Sequence, residues 1–212
     1  MPTKSVDPAS GKKSKDAVIH SALKLFNMSG YDGVSVRAIA SDAGVNIALV
    51  SYYFGGKQGL LEHLMAAFFE GYLSTLEKSE QDSKEQASPA ERLTTIAEQL
   101  IRYQQRYFYL SRFVHREMTL DNQLVRELMS SYLVKEKFLF ERIFKQVLSD
   151  SRTNQLQAEF VVIEYRDMII MPFLQPQYLR EVYFMQPSGR SFLEQYTRHL
   201  HDWAYRLFNQ SE

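Results

Sequence analysis

The stretch from Ser35 to Leu60, SVRAIASDAGVNIALVSYYFGGKQGL, restricts the chain more than any other, because it spells two short helices joined by a tight turn, with a further helix opening behind Gly-Gly-Lys. Ser35 is placed to cap a helix whose apolar positions Val36, Ile39 and Ala40 recur at helical spacing. Gly44 suits a left-handed exit from that helix, and Asn46 caps the next. Helices joined by such a turn cross steeply, so the second lies in a DNA major groove while the first braces against the backbone. The crossing needs small residues, and Ala40, Ala43 and Gly44 supply them. A core helical hairpin is the alternative, but it calls for apolar residues where Tyr52, Tyr53 and Lys57 trail the second helix.

Side chains at the N-terminal end of a groove helix reach bases first, which assigns base contact to Ile47 and Ala48. Neither makes a bidentate hydrogen bond; both suit van der Waals contact with thymine methyl groups. Specificity therefore leans on other residues. Arg37, the only arginine in the first 90 residues, suits guanine or phosphate. Lys57, behind Gly55 and Gly56, is placed to grip a phosphate together with backbone amides, the alternative being an exposed lysine without a role.

Formal net charge is zero over 212 residues, but it is unevenly spread. Residues 1–60 carry seven Lys plus Arg against four Asp, a net +3, whereas residues 61–90 carry two Lys against six acids, a net −4. The basic end is the reading end. Lys4, Lys12, Lys13 and Lys15 suggest a basic arm over residues 1–12 that meets phosphate or the minor groove, with a solvated tail as the alternative. Cysteine is absent, which removes disulfides, thiolate zinc sites and cysteine nucleophiles. No secretory leader and no apolar run long enough to span a bilayer is present, so the expectation is a soluble, cytoplasmic, nucleoid-associated protein with no membrane partner. His199 and His201 diverge on a helix, and no metal, cofactor or catalytic motif stands out. The expectation is no enzyme, no metal and no cofactor.

The rest of the chain reads as helix almost throughout, giving an all-α fold. The spacing predicts helices over 13–29, 57–80, 89–107, from 122 to about 149, over 155–171 stopped by Pro172, over 178–185, and over 191–208. Ser88-Pro-Ala-Glu carries an N-cap with proline at the first helical position. Leu60, Leu61, Leu64, Phe68 and Leu76 form a stripe along the fourth helix, the natural lever between a head over 13–58 and a helical dimerisation and regulatory domain over 59–212.

In the segment 101–121, Arg102, Arg106, Arg112 and Arg116 interleave with aromatic residues in two pairs four apart. With Glu117 they suggest a partner surface, since arginine and aromatics concentrate at binding hot spots. The alternative is an intramolecular network in which Glu98, Glu117, Asp121 and Glu127 neutralise the arginines. Along the last helix Tyr196, Leu200, Trp203 and Leu207 form an apolar stripe that is either core or subunit interface. A homodimer is expected, because two reading heads about 34 Å apart recognise a palindromic site in double-stranded DNA.

The runs AVIHSALKLFNMSGYDGVSV, IASDAGVN and YYFGGKQGLLEHL, spread between Lys15 and Leu64, resemble the N-terminal domain of the TetR family of bacterial transcription regulators. That resemblance implies a three-helix helix-turn-helix domain in which Asn46 caps the recognition helix, Ile47 and Ala48 face bases, and Val50 and Phe54 turn inward. It also places Ser51, Tyr52 and Tyr53 on or beside the DNA face, Lys57 at a phosphate, and the last helices in a four-helix dimer interface. Ser35 and Arg37 complete the expected DNA-contacting set. Further on, YLVKEKFLFERI and MPFLQPQYLREVYFMQP are similar to a sporulation-associated branch of the family that bears on cell division. Two functions follow: a DNA-bound regulator whose larger domain meets a cell-division protein, or a repressor of an adjacent operon induced by a small-molecule ligand.

Overall fold

The computed structural model describes residues 8–84, 88–120, 122–147 and 155–209, and every regular element among them is an α-helix. The chain divides into two compact units between Phe68 and Phe69, ten residues beyond the boundary suggested by the sequence.

The first unit holds α1 (Pro8–Ser29), α2 (Val36–Asp42), α3 (Ile47–Phe54) and the opening of α4 (Lys57–Asp82). Helix α1 begins at Pro8, so Lys12 belongs to a helix and not to an extended arm; Lys4 lies outside the described residues. Neither α2 nor α3 is long enough to persist alone in water, so both depend on burial. Ile39 and Ala40 of α2 and Val50 and Phe54 of α3 are buried, as are Val18, Ala22 and Phe26 of α1. Local chemistry sets the ends. Ser35 Oγ accepts from the Ala38 amide at 3.1 Å, and Asn46 Oδ1 accepts from the Ala48 amide at 2.8 Å. Gly55 and Gly56 adopt φ of 71° and 104°, the left-handed region that lets α4 start immediately after α3. A Cβ on Gly59 would lie 1.7 Å from the Phe54 carbonyl oxygen, so the first turn of α4 touches the end of α3 backbone to backbone.

The second unit comprises the rest of α4 and α5 (Pro89–Arg106), α6 (Phe108–Met118), α7 (Gln123–Val147), α8 (Gln155–Leu174), α9 (Pro176–Val182) and α10 (Arg190–Asn209). Ser88 and Glu91 form a reciprocal capping box at the start of α5. Helix α10 packs most extensively on α5, with Leu193, Leu200 and Ala204 buried, while α8 packs on α6, α5 and α7.

The helix opening at Pro89 ends at Tyr107, at φ −111° and ψ 42°, as its spacing suggests, but a further helix, α6, follows at once where none was expected. The junction is held from inside: Gln104 donates through Nε2 to the Ile169 carbonyl at 3.1 Å, and its Oε1 meets His115 Nε2 at 2.6 Å. Helix α8 also runs through Pro172 instead of stopping there. Proline has no N–H for the carbonyl four residues back, that of Met168. Tyr196 Oη of α10 donates to that carbonyl at 2.8 Å, so a tertiary hydrogen bond replaces the missing helical one.

Candidate DNA-binding interface

Helix α3 shows one face to the core and the other to solvent. Val50 and Phe54 are buried, whereas Asn46, Ile47, Ala48, Ser51 and Tyr52 are exposed and Tyr53 is half-buried. Tyr52 is 77% exposed and rests edge-on against Tyr53, ring centroids 5.2 Å apart, so two phenols stand together at the helix's outer side. Asn46 is occupied through its side-chain oxygen as a cap. Ser35 is likewise occupied, its hydroxyl accepting from Ala38. Arg37, on α2, is exposed, and among the described residues no hydrogen bond or ion pair holds its guanidinium, which leaves the fork free for an outside acceptor.

Lys57 is less free than its sequence position suggests. Its ammonium sits 4.3 Å from the centroid of the Tyr31 ring and donates to the Asp32 carbonyl at 3.4 Å, while Tyr31 packs against Phe26 of α1. These contacts fix where the charge stands. An ammonium has three donors, so the arrangement leaves hydrogen-bonding capacity for a phosphate. No local pattern signals the support from Tyr31, which depends on the turn after α1 folding back to the start of α4.

A second support is the ion pair between Lys24 of α1 and Asp42 at the end of α2, 2.6 Å long. The hydrogen bond from Lys24 holds the Asp42 carboxyl below the usual carboxylate range. The pair neutralises an acid close to the turn. Lys15 lies 5.6 Å from the Phe54 ring centroid.

In the second unit the proposed partner residues separate. Arg102 is paired with Glu98 at 2.5 Å, and Arg106 lies over the Tyr107 ring. Arg112 and Arg116 are half-buried and have no carboxylate partner among the described residues; burial, then Arg116, then Arg180 of α9 lower the Arg112 pKa. Glu117 is 1% exposed and faces inward, so it offers nothing to a partner from this position. Within the C-terminal stripe, Leu200 is buried inside the subunit. Trp203 donates to Glu164 at 2.8 Å and stacks on Tyr165, while Leu207 is half-buried. Phe160, Ile163 and Met171 are exposed on the outer side of α8, with the exposed Glu164 and Asp167 between the last two. Sequence periodicity missed this face because α8 is apolar on several sides.

A short cap-ended helix pair, a second helix with an outward face, and a fixed cation behind it define a helix-turn-helix DNA-binding protein. Residues 18–64 match the model of the bacterial regulatory proteins of the tetR family. A probable HTH-type transcriptional regulator of Bacillus subtilis strain 168, YttP, is 40% identical over 199 residues, which are 94% of this chain and 96% of that protein. The chain belongs to the tetR family of bacterial transcription regulators. Its fold is shared with the TetR family regulator PfmR of Thermus thermophilus, at a TM-score of 0.69 and 19% identity over 89% of this chain and 97% of that one. Bacillus subtilis FadR, solved in complex with stearoyl-CoA, has a TM-score of 0.64 and 18% identity over 88% and 97% of the two chains.

Proposed function

We propose that the chain acts as a homodimer, each copy placing α3 in the major groove of one half of a palindromic site. Arg37, Ile47, Ala48, Ser51, Tyr52 and Tyr53 form the groove-facing set, and Lys57 the phosphate clamp. The observation that carries this reading is the outward face of α3, where exposed Ile47, Ala48, Ser51 and Tyr52 stand opposite buried Val50 and Phe54. The dimer contact falls on the exposed Phe160, Ile163 and Met171 side of α8, with Trp203 and Leu207 of α10 as neighbours.

On this reading the second unit meets a protein of the division apparatus, as in the forespore regulator of the Z ring, a sporulation-associated DNA-binding protein. Support comes from the sequence similarity over YLVKEKFLFERI and MPFLQPQYLREVYFMQP, and from Arg112 and Arg116, which lack carboxylate partners among the described residues. The docking surface then centres on Arg106, Arg112 and Arg116. The second reading, a ligand-responsive repressor, is favoured by the open groove between α7 and α8.

Genome-wide mapping of bound sites, paired with transcript profiling of a deletion strain, separates the two. Scattered palindromic sites whose loss leaves neighbouring transcription unchanged support the division reading. One site beside one derepressed operon removes it.

A further inference from the structure

Helices α7 and α8 leave between them a groove of about 580 Å³, within the range of small-molecule sites. Its walls are apolar: Met118, Met129, Leu133, Phe140, Val162 and Ile163. Two methionines among them adapt readily to an irregular tail. The groove also contains Glu136 and Arg166, a pairing that an apolar wall does not require.

Glu136 is buried and already engaged. Its Oε2 accepts from Arg166 Nε at 2.8 Å, and the buried Tyr72 phenol faces the same carboxylate and helps hold its charge. A cationic ligand would therefore find that acid already claimed. Arg166 is different. Its side chain is 26% exposed, and it meets Glu136 sideways through Nε alone, not through a fork. Among the described residues the one further contact is from Nη1 to Asp167 at 3.4 Å. The rest of the guanidinium fork, open to the groove and to solvent, has no acceptor among the described residues, and a planar two-oxygen acceptor matches it best. At the mouth, Lys137 and Glu141 pair with each other at 3.3 Å, and Glu159 is exposed, where water screens it.

We propose that this groove binds an amphiphilic monocarboxylate, its two oxygens on the free side of the Arg166 fork and its hydrocarbon tail along Leu133, Met129 and Phe140. The site deepens the ligand-responsive reading, but binding to it is measured without DNA, so it stands or falls separately from operator recognition.

The test is calorimetric titration of the full chain with octanoate, octanol and octylammonium, each below its aggregation threshold. Octanoate is expected to bind saturably, one per subunit, octanol about tenfold more weakly for want of the ionic fork contact, and octylammonium not at all. Leu133→Trp fills the groove from a half-exposed position and should abolish octanoate binding with the unfolding midpoint unchanged. Arg166→Lys keeps a cation for Glu136 but loses the fork, and should weaken octanoate about tenfold. If that variant fails to fold, Leu133→Trp still decides. The proposal is overturned by equal binding of octylammonium or octanol, by unaltered octanoate binding to folded Leu133→Trp, or by the absence of saturable octanoate binding to the native chain.

Discussion

Removing the Tyr196 hydroxyl should reveal how α8 tolerates Pro172. The proline withdraws the amide that would have bonded to Met168, and its ring pushes that carbonyl off the helix axis. Tyr196 Oη supplies the replacement at 2.8 Å, in surroundings buried enough to push the phenol up to about 12. In Tyr196→Phe the ring and its stacking on Phe192, centroids 5.0 Å apart, are retained, so only the hydrogen bond is lost. An inner carbonyl left without a donor costs about 1–3 kcal/mol, so a destabilisation near 2 kcal/mol is expected. Pro172→Ala returns an amide to the helix, and Met168 then has a donor whether or not Tyr196 is present. In that background Tyr196→Phe should cost about 0.5 kcal/mol, the low end for a hydrogen bond whose acceptor stays satisfied. The assay is equilibrium denaturant unfolding of the four proteins at one fixed chain concentration, since dimerisation makes stability concentration-dependent. Coupling of about 1.5 kcal/mol stands clear of the roughly 0.5 kcal/mol scatter seen for independent sites. Additive costs would refute the replacement of one hydrogen bond by the other.

Arg37→Ala and Lys57→Ala should each weaken operator binding while leaving the unfolding free energy within about 0.5 kcal/mol of the native protein. Titration against salt should show the log–log slope for Lys57→Ala reduced by about one per half-site if it holds a phosphate; an unchanged slope removes Lys57 from the interface. His115, buried and lowered to about 3 by burial first and Arg166 second, stays neutral in the fold while the unfolded chain takes up a proton below its ordinary 6.5. Stability is therefore lost as pH falls, by up to about 1.4 kcal/mol per pH unit between about 6 and about 3, where the folded His115 protonates too. His115→Gln should flatten that slope in unfolding experiments at stepped pH, and an equally steep profile would clear His115 of the effect. Phe160→Glu with Ile163→Glu should yield a folded monomer by sedimentation, whereas Leu200→Ala should cost about 2–5 kcal/mol of subunit stability through its own core; a stable dimer in the first variant places the interface elsewhere.

The head was legible because its signals are short-range. Ser35 caps three residues ahead, Asn46 two, and Gly55 and Gly56 impose their turn where they stand. Residues that need a distant partner were not. Lys57 is visible in the sequence as a cation after two glycines, but its seat on Tyr31 spans 26 positions, and the Lys24 to Asp42 pair spans 18. The second unit depends on such distances throughout. Gln104 reaches Ile169 across 65 positions and also meets His115 of α6, the helix that periodicity left unassigned beyond Tyr107. Pro172 was read by its local rule, which holds only while no outside donor is available, and Tyr196 provides one from 28 positions beyond Met168.

The same distinction separates surface from core among the charged residues. Arg102 and Glu98 are four apart, so their pairing follows from helical spacing. Glu117, adjacent to Arg116 in sequence, turns the opposite way because α6 buries one side, carrying Phe113, Val114 and Glu117 inward while Arg112 and Arg116 stay half-exposed. A spacing of four places residues on a common face, but whether that face is wet depends on which helix lies against it. For α8 the outcome is reversed. Apolar residues on several sides give no preferred direction, yet packing against α5, α6 and α7 takes Tyr165, Ile169 and Phe173 inward and leaves Phe160, Ile163 and Met171 uncovered. Glu164 and Asp167 are exposed beside them, so this side of α8 is a mixed apolar and acidic surface. In a family whose regulators act as dimers, such a surface suits the subunit contact proposed above.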